Sequence, residues 1–417
     1  MISNKLRKIK ISPEHVFMTS VMIVNVGNYL YNFLLARILG PELFADAAII
    51  ITFLLILSFV AMAFQLTTAK FAVVFRVKTY KRFVSSMYKT ALVLGIPLGI
   101  LIAVFSSQLQ LIFQTTSASI FMIFGIGVPV YFIMSINRGG FQGKKEFKSL
   151  SITYQTEMLS KLLVTFALLL FFGIEDITII AVGILVSLFF GLFPFNLKLF
   201  SLQINTRIRE VYKKQIKTFF IITAFYEFTQ IIINNSDVLL VKHYFDSYDA
   251  GLYASLALIG RMVYFMTWMY VMLLLPKVIH LKKEGKETSG ILFTYISYIF
   301  LVLVVLVAGC VLFPEVFIRV LFGEQYLGIA SLLWKYALAT AIFSIANIFS
   351  YYYLSLDKYI PVIISCLFAL LQIVLIVWFH NSLEQVLDVQ IFTMIVLLLI
   401  QIMFYITTAA AKKRRIR

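Results

Sequence analysis

Apolar residues arrive along this chain in long blocks, each closed by a short polar stretch that is usually basic. A block of about 20 predominantly apolar residues is the length of an α-helix that crosses a bilayer. Twelve such helices are predicted, over roughly 15–38, 44–68, 84–106, 118–136, 149–172, 176–197, 218–241, 250–275, 290–313, 328–354, 359–379 and 388–411. The expected fold class is an all-α membrane protein with twelve transmembrane helices. The first block is long enough to span, is interrupted by Asn25, Asn28 and Asn32, and runs into a second. It is expected to stay in the mature chain rather than be cleaved as a signal peptide.

Composition sharpens this picture. Of 417 residues, 61% are hydrophobic and 13% charged, against about 45–50% and about 25% in soluble domains. Twelve crossings consume roughly 260 residues and leave about 150 for loops and tails, too few for a soluble catalytic domain. No Walker, HExxH or GxSxG spacing is present, so neither an ATP-driven pump nor a hydrolase is expected. Cys310 and Cys366 lie in apolar blocks and the four histidines are scattered. No disulfide scaffold, metal site or other cofactor is expected.

The net charge of +17 suits basic loops on one membrane face better than a nucleic-acid partner. Of the 36 Lys and Arg, 29 fall in the N-terminal tail, the even-numbered connections and the C-terminal KKRRIR stretch. Arg37, Lys242 and Arg319 fall on the other side; Lys89, Lys161, Arg261 and Lys335 fall within blocks. The positive-inside rule then puts both termini in the cytoplasm. The longest internal connection, 198–217, repeats Ile204, Ile208, Val211, Tyr212 and Ile216 at helical spacing, with Arg207, Lys213, Lys214 and Lys217 opposite. It reads as a basic helix on the inner leaflet or as a solvated linker. It separates residues 1–197 from 218–417, with six predicted helices on each side.

The halves look related. At a shift of 205, Asn25 falls on Gln230, Asn32 on Asp237 and Arg37 on Lys242, and NFLLAR superposes on DVLLVK. At a shift of 212, NRGGFQGKKEF from Asn137 meets FSYYYLSLDKY from Phe349. Such duplication is the usual architecture of a secondary transporter, here as two pseudo-symmetric six-helix bundles.

Polar groups inside spans are costly and carry the functional information. Asn25, Asn28 and Asn32 share one face of the first predicted helix; Glu227, Gln230, Asn234 and Asp237 share one face of the seventh. The stripes either line a polar cavity or act as interhelical hydrogen-bonding glue. Glu157 and Lys161 are placed to pair at i,i+4, with Tyr154 and Thr165 on the same helix. Arg261 and Lys335 have no partner in their own helices; each needs a carboxylate from another helix or an anionic ligand. Tyr253 and Tyr264 lie on roughly the side of Arg261. Gly95, Pro97 and Gly99, and Gly125, Gly127 and Pro129, are candidate hinges or ordinary kinks.

The stretch Arg37-Ile-Leu-Gly40-Pro41-Glu-Leu-Phe44 resembles the R-x-L-G-P-x-x-F signature of bacterial polysaccharide flippases. Residues Asn234 to Val263 are similar to that family's signature for helices seven and eight: an Asp near the helix end, A-G-x-Y, then Gly-Arg. Here these are Asp237, Ala250-Gly251-Leu-Tyr253 and Gly260-Arg261. Gly143 within FQGKKEF and Phe322-Gly323 also fit. The resemblance covers nearly the whole chain. Ala45, where the family usually has Gly, departs from it and affects packing between the first two helices.

The resemblance implies a V-shaped fold of the superfamily that also holds multidrug exporters and lipid II flippases. It implies a substrate, undecaprenyl-diphosphate-linked oligosaccharide repeat units, moved to the outer leaflet by alternating access coupled to a cation gradient. The location would be the bacterial inner membrane, and the partners membrane lipids and other polysaccharide assembly proteins. A diphosphate wants cations, and Arg37, Arg261, Lys335 and Lys161 are candidates. Sugars want amides and aromatic faces, and Asn25, Asn28, Asn32, Asn234, Tyr253 and Tyr264 are candidates. Glu227, Asp237 and Glu157 are the candidate ion-coupling acids, though Asp237 also reads as an interfacial cap. A multidrug exporter of the same superfamily takes mostly cationic substrates, which intramembrane cations disfavour. A polysaccharide polymerase or ligase needs a long outer loop, and the longest here, about 314–327, is short.

Overall fold

The computed structural model describes residues 13–173, 177–195, 210–356 and 358–416. Helix α1 (Pro13–Val74) carries two predicted helices as one, interrupted only at Gly40, where φ is 74° and ψ 172°. That region of backbone space is open essentially to glycine alone. Pro41 follows, and its missing N–H leaves the Arg37 carbonyl without a helical donor. Side chains from far along the chain take over: Gln325 Nε2 donates to the Arg37 carbonyl at 3.1 Å and the Tyr326 hydroxyl to that of Ala36 at 2.8 Å.

Then come α2 (Val77–Val104), α3 (Ser106–Phe113), α4 (Ser119–Gly143), α5 (Phe147–Phe172) and α6 (Thr178–Phe190). After them run α7 (Glu210–Tyr244), α8 (Ser247–Lys283), α9 (Ser289–Leu312) and α10 (Pro314–Leu321). A 3-10 helix (Glu324–Leu332) leads into α11 (Leu333–Ser355), followed by α12 (Ile360–Trp378) and α13 (Leu383–Ile416).

The described residues thus form thirteen α-helices where twelve were expected: α1 merges two, and α3 and α10 are additional. The expected outer loop 314–327 is mostly helical. Several helices overrun their expected ends, since VKTYKRF, EVYKKQIK and KKRRI contain no Gly or Pro to stop them. Of the connection 198–217, residues 198–209 lie outside the described residues; 210–217 form the first turns of α7. Among the described residues, nine helices are long and apolar enough to cross a membrane, and the one within α1, Thr19–Val74, runs to 56 residues. Side chains such as Leu170, 87% exposed, and Phe171, 84%, have no place in water and face lipid.

The described chain divides into two units. One holds the chain up to Tyr31, Leu57–Leu111 and Thr116–Glu227. Its core includes the fully buried Phe64, Phe83, Phe121 and Phe132. The glycines first read as candidate hinges are contact points: a Cβ on Gly99 would stand 2.3 Å from the Gly125 carbonyl oxygen, and one on Gly95 2.8 Å from Pro129 Cα. The small residues let α2 and α4 touch backbone to backbone. Gly139 and Gly143 admit the Gln65 and Ala69 carbonyls of α1 in the same way.

The other unit holds Asn32–Ile56, Ile112–Thr115 and the chain from Phe228 onward. Helix α11 is central there, packing on α8, α9, α12 and α13. One cluster gathers Val278, Leu292, Ile299, Ile348 and Tyr353; a second gathers Ile233, Phe343, Ala369 and Leu397.

Candidate substrate site

In the first unit the polar faces of α1 and α5 meet. Asn25 Nδ2 is satisfied within its own helix by the Val21 carbonyl, 2.9 Å. Asn28 Oδ1 accepts from Lys161 Nζ at 2.5 Å, and that ammonium lies 4.9 Å from the Tyr31 ring centroid. The Tyr31 and Thr165 hydroxyls are 3.4 Å apart. The expected Glu157–Lys161 pair does not form. Glu157 Oε2 instead lies 2.6 Å from Arg138 Nη2. Arg138 also donates to the Thr153 carbonyl and hydroxyl and stacks over Tyr154, 4.0 Å to the centroid. A planar fork satisfies a carboxylate, a carbonyl and a hydroxyl at once, which an ammonium does not. Lys161 is left with neutral partners: among the described residues it forms no ion pair. Arg138, counted from the sequence as a loop cation, is 5% exposed. Glu227, half-buried, also belongs to this unit and forms no ion pair among the described residues.

In the second unit Asp237 is 1% exposed, not an interfacial cap. Its Oδ2 accepts from Tyr336 at 2.7 Å, Gln390 at 2.9 Å and Tyr253 at 3.0 Å. Three donors hold the acid where desolvation would otherwise be prohibitive. Tyr253 is wholly buried, so its ring presents no face to a sugar in this conformation. Asn234 Nδ2 bonds the Gln230 carbonyl. Tyr264 donates to Gln230 Oε1 at 3.1 Å, accepts from Asn347 Nδ2 at 2.9 Å and stacks on Phe343.

Arg261 Nη2 lies 3.4 Å from Thr52 Oγ1. It borders a small cavity with Asn32, Phe44, Ala48, Val238 and Leu258. Asn32 Oδ1 is buried there with no hydrogen bond among the described residues. Lys335, for which a carboxylate from another helix and an anionic ligand were both open, has two carboxylates: Glu384 at 2.8 Å and Asp388 at 2.7 Å, both on α13. Arg37 is exposed and reaches the Val320 carbonyl at the end of α10, 3.4 Å, where a cation suits the helix dipole.

Sequence reasoning missed a buried pair, Lys242 and Asp46, 2.9 Å apart and each 1% exposed. Asp46 was a visible acid inside an apolar block; Lys242 had been counted as a surface charge. Tyr336 and Gln390 were also missed, because polar tips on apolar helices carry no pairing information until the helices are placed.

The signature residues meet one another in this unit. A Cβ on Gly251 would stand 1.8 Å from the Pro41 carbonyl oxygen, and one on Gly260 2.1 Å from the Tyr336 ring. A Cβ on Gly323 would stand 3.7 Å from Arg37 Nε. Each motif is thus a packing or hydrogen-bonding requirement of the others.

These features define a multi-pass α-helical membrane protein with buried polar clusters inside its spans, the class to which transporters belong. The family model described as "Polysaccharide biosynthesis protein" matches residues 34–331, and the chain belongs to that family. No curated protein sequence matches it. Among solved structures it resembles the lipid II flippase MurJ in an inward-closed conformation, with TM-score 0.78 and 15% identity over 94% of this chain and 87% of that one. It also resembles an inward-facing multidrug resistance MATE family transporter of the MOP superfamily, TM-score 0.76, 14% identity, over 95% and 99% of the two chains. A third is a MOP superfamily transporter from Pyrococcus furiosus, TM-score 0.57, 13% identity, over 94% and 93%. At these identities the likeness is one of fold, shared with solved flippase and transporter structures.

Proposed function

We propose that the protein is a flippase for lipid-linked oligosaccharides, carrying undecaprenyl-diphosphate-linked repeat units from the cytoplasmic to the outer leaflet of the bacterial inner membrane. The observation that carries this is Lys161: a cation inside a span that bonds an amide, lies over an aromatic ring and forms no ion pair among the described residues. A cation held this way attracts an anionic ligand and repels the cationic substrates a multidrug exporter takes. Asn28 beside it, and Asn32 beside Arg261, offer amides to sugar hydroxyls. Membership in a polysaccharide biosynthesis family supports the same substrate class.

In this reading α1 contributes two crossings, and α2, α4 to α9 and α11 to α13 one each. That makes twelve, in two six-helix bundles, 1–197 and 218–417, joined by 198–217, with both termini in the cytoplasm. Other polysaccharide assembly proteins supply and use the substrate. Transport is coupled to a cation gradient through Glu227. Glu157 is committed to Arg138 and Asp237 to its three donors.

Proteoliposomes loaded with a lipid-linked oligosaccharide test both roles. Lys161→Gln is expected to lower translocation at least tenfold at normal abundance, with partial rescue by Lys161→Arg. Glu227→Gln is expected to keep basal translocation but lose its response to an imposed pH or sodium gradient. Full activity of Lys161→Gln would sink the substrate assignment. An unchanged gradient response of Glu227→Gln would sink the coupling assignment.

A further inference from the structure

A second polar feature of the first unit lies where the first turn of α2 meets the end of α4. Tyr80, Val84, Tyr88, Ile136, Gly140 and Lys144 border a small, open cleft there. Tyr80 is 5% exposed, and its hydroxyl is buried with no hydrogen-bond partner among the described residues. A buried donor without an acceptor is costly, and an acceptor supplied from outside removes the cost. Lys144 Nζ stands 5.1 Å from the centroid of the same ring.

Helix α2 begins after Arg76 with no side-chain cap, so its first N–H groups await acceptors. The facing carbonyls of α4 are already bonded: Gly140 by the Lys144 N–H, Phe141 by Glu146 and Gln142 by Lys145. The Tyr80 hydroxyl and the Lys144 ammonium make a donor pair for an anion.

Charge extends the argument beyond the cleft. Arg76 just before α2, and Lys78, Lys81 and Arg82 on it, are exposed, as are Lys145 and Lys148 after α4. None of them forms an ion pair among the described residues, and Glu146 is the one acid in 70–82 and 142–148. Val73, Val74 and Val77 sit among these cations at 73%, 58% and 75% exposure. A free phosphate has no use for exposed valines; a bilayer interface has.

We propose that this cleft binds the phosphate of an anionic phospholipid of the inner leaflet, held by Tyr80 and Lys144, separately from the transported lipid. The choice of leaflet rests on the cytoplasmic placement of the basic loops; the binding chemistry does not. The test is native mass spectrometry of the purified full-length protein with added phosphatidylglycerol or phosphatidylcholine. Phosphatidylglycerol is expected to be retained preferentially. Lys144→Gln is expected to weaken that retention about fivefold, and Tyr80→Phe to weaken it at an unchanged lipid-free melting temperature. Lys286→Gln, in the second unit, is the control and leaves retention unchanged. Equal retention of the two lipids, or wild-type retention in both variants, overturns the proposal. Displacement of phosphatidylglycerol by inorganic phosphate also overturns it, assigning the cleft to a free anion. Translocation is not read in this experiment, so its failure leaves the flippase reading standing, and the converse.

Discussion

Lys242 and Asp46 show how much a single pair of side chains decides. Both are 1% exposed and 2.9 Å apart, and Lys242 also donates to Ser247 Oγ at 2.6 Å. Their attraction offsets a desolvation cost, so the pair adds little net stability, yet removing one partner strands a buried charge. Asp46→Ala is expected to cost about 3–5 kcal/mol, while the double change Asp46→Leu with Lys242→Met is expected to cost far less. Denaturant titration in detergent measures both; a double variant as unstable as the single one would mean that packing, not charge, dominates. Lys161 and Lys335 show the same rule from the other side. Both were legible as intramembrane cations, but the residues facing them were not. The sequence spacing suggested Glu157 for Lys161, and geometry gave Glu157 to Arg138.

At the scale of elements, the break in α1 was legible in part. Gly40-Pro41 announces an interruption, and two helices were expected around it. What replaces the expected loop is one residue at positive φ and two capping side chains brought from residues 325 and 326. Gly40→Ala places a Cβ in a glycine-only backbone region and is expected to cost about 1–3 kcal/mol. Tyr326→Phe leaves the Ala36 carbonyl buried and unpaired, at about 1–3 kcal/mol. Thermal unfolding of the purified protein reads both. Tyr326→Phe at wild-type stability would mean that water or a neighbouring group caps the helix instead. Gly99 and Gly125 make a related point: the sequence marked them as breakers, but their use is close approach between α2 and α4.

At the scale of the whole molecule, the expected orientation rests on the cations that remain at the surface. Two of the charges that entered the count, Arg138 on one side and Lys242 on the other, are buried and paired, so neither senses the membrane surface. Removing them leaves the bias intact. A cysteine at Thr116, which is exposed between α3 and α4, is expected to react with an impermeant maleimide in intact cells. One at Glu284, after α8, is expected to react only once cells are opened. Labelling of Glu284→Cys from outside would invert the topology and move the proposed lipid cleft to the outer leaflet.

The sequence alone determined the class of this protein, because a bilayer imposes its length and polarity on every span. Runs of about 20 apolar residues admit few structures other than membrane helices. It also marked most of the costly residues, since an Asn, Lys or Asp inside such a run is visible without any fold. The tertiary structure alone decided which of them meet. Partners here stand up to 290 positions apart, as Tyr326 and Ala36 do, and a helix's own periodicity fixes the face a residue occupies but not the helix that face will touch. That is why the buried acid at Asp237, the amide-bound cation at Lys161 and the buried hydroxyl of Tyr80 became readable only once the helices were packed.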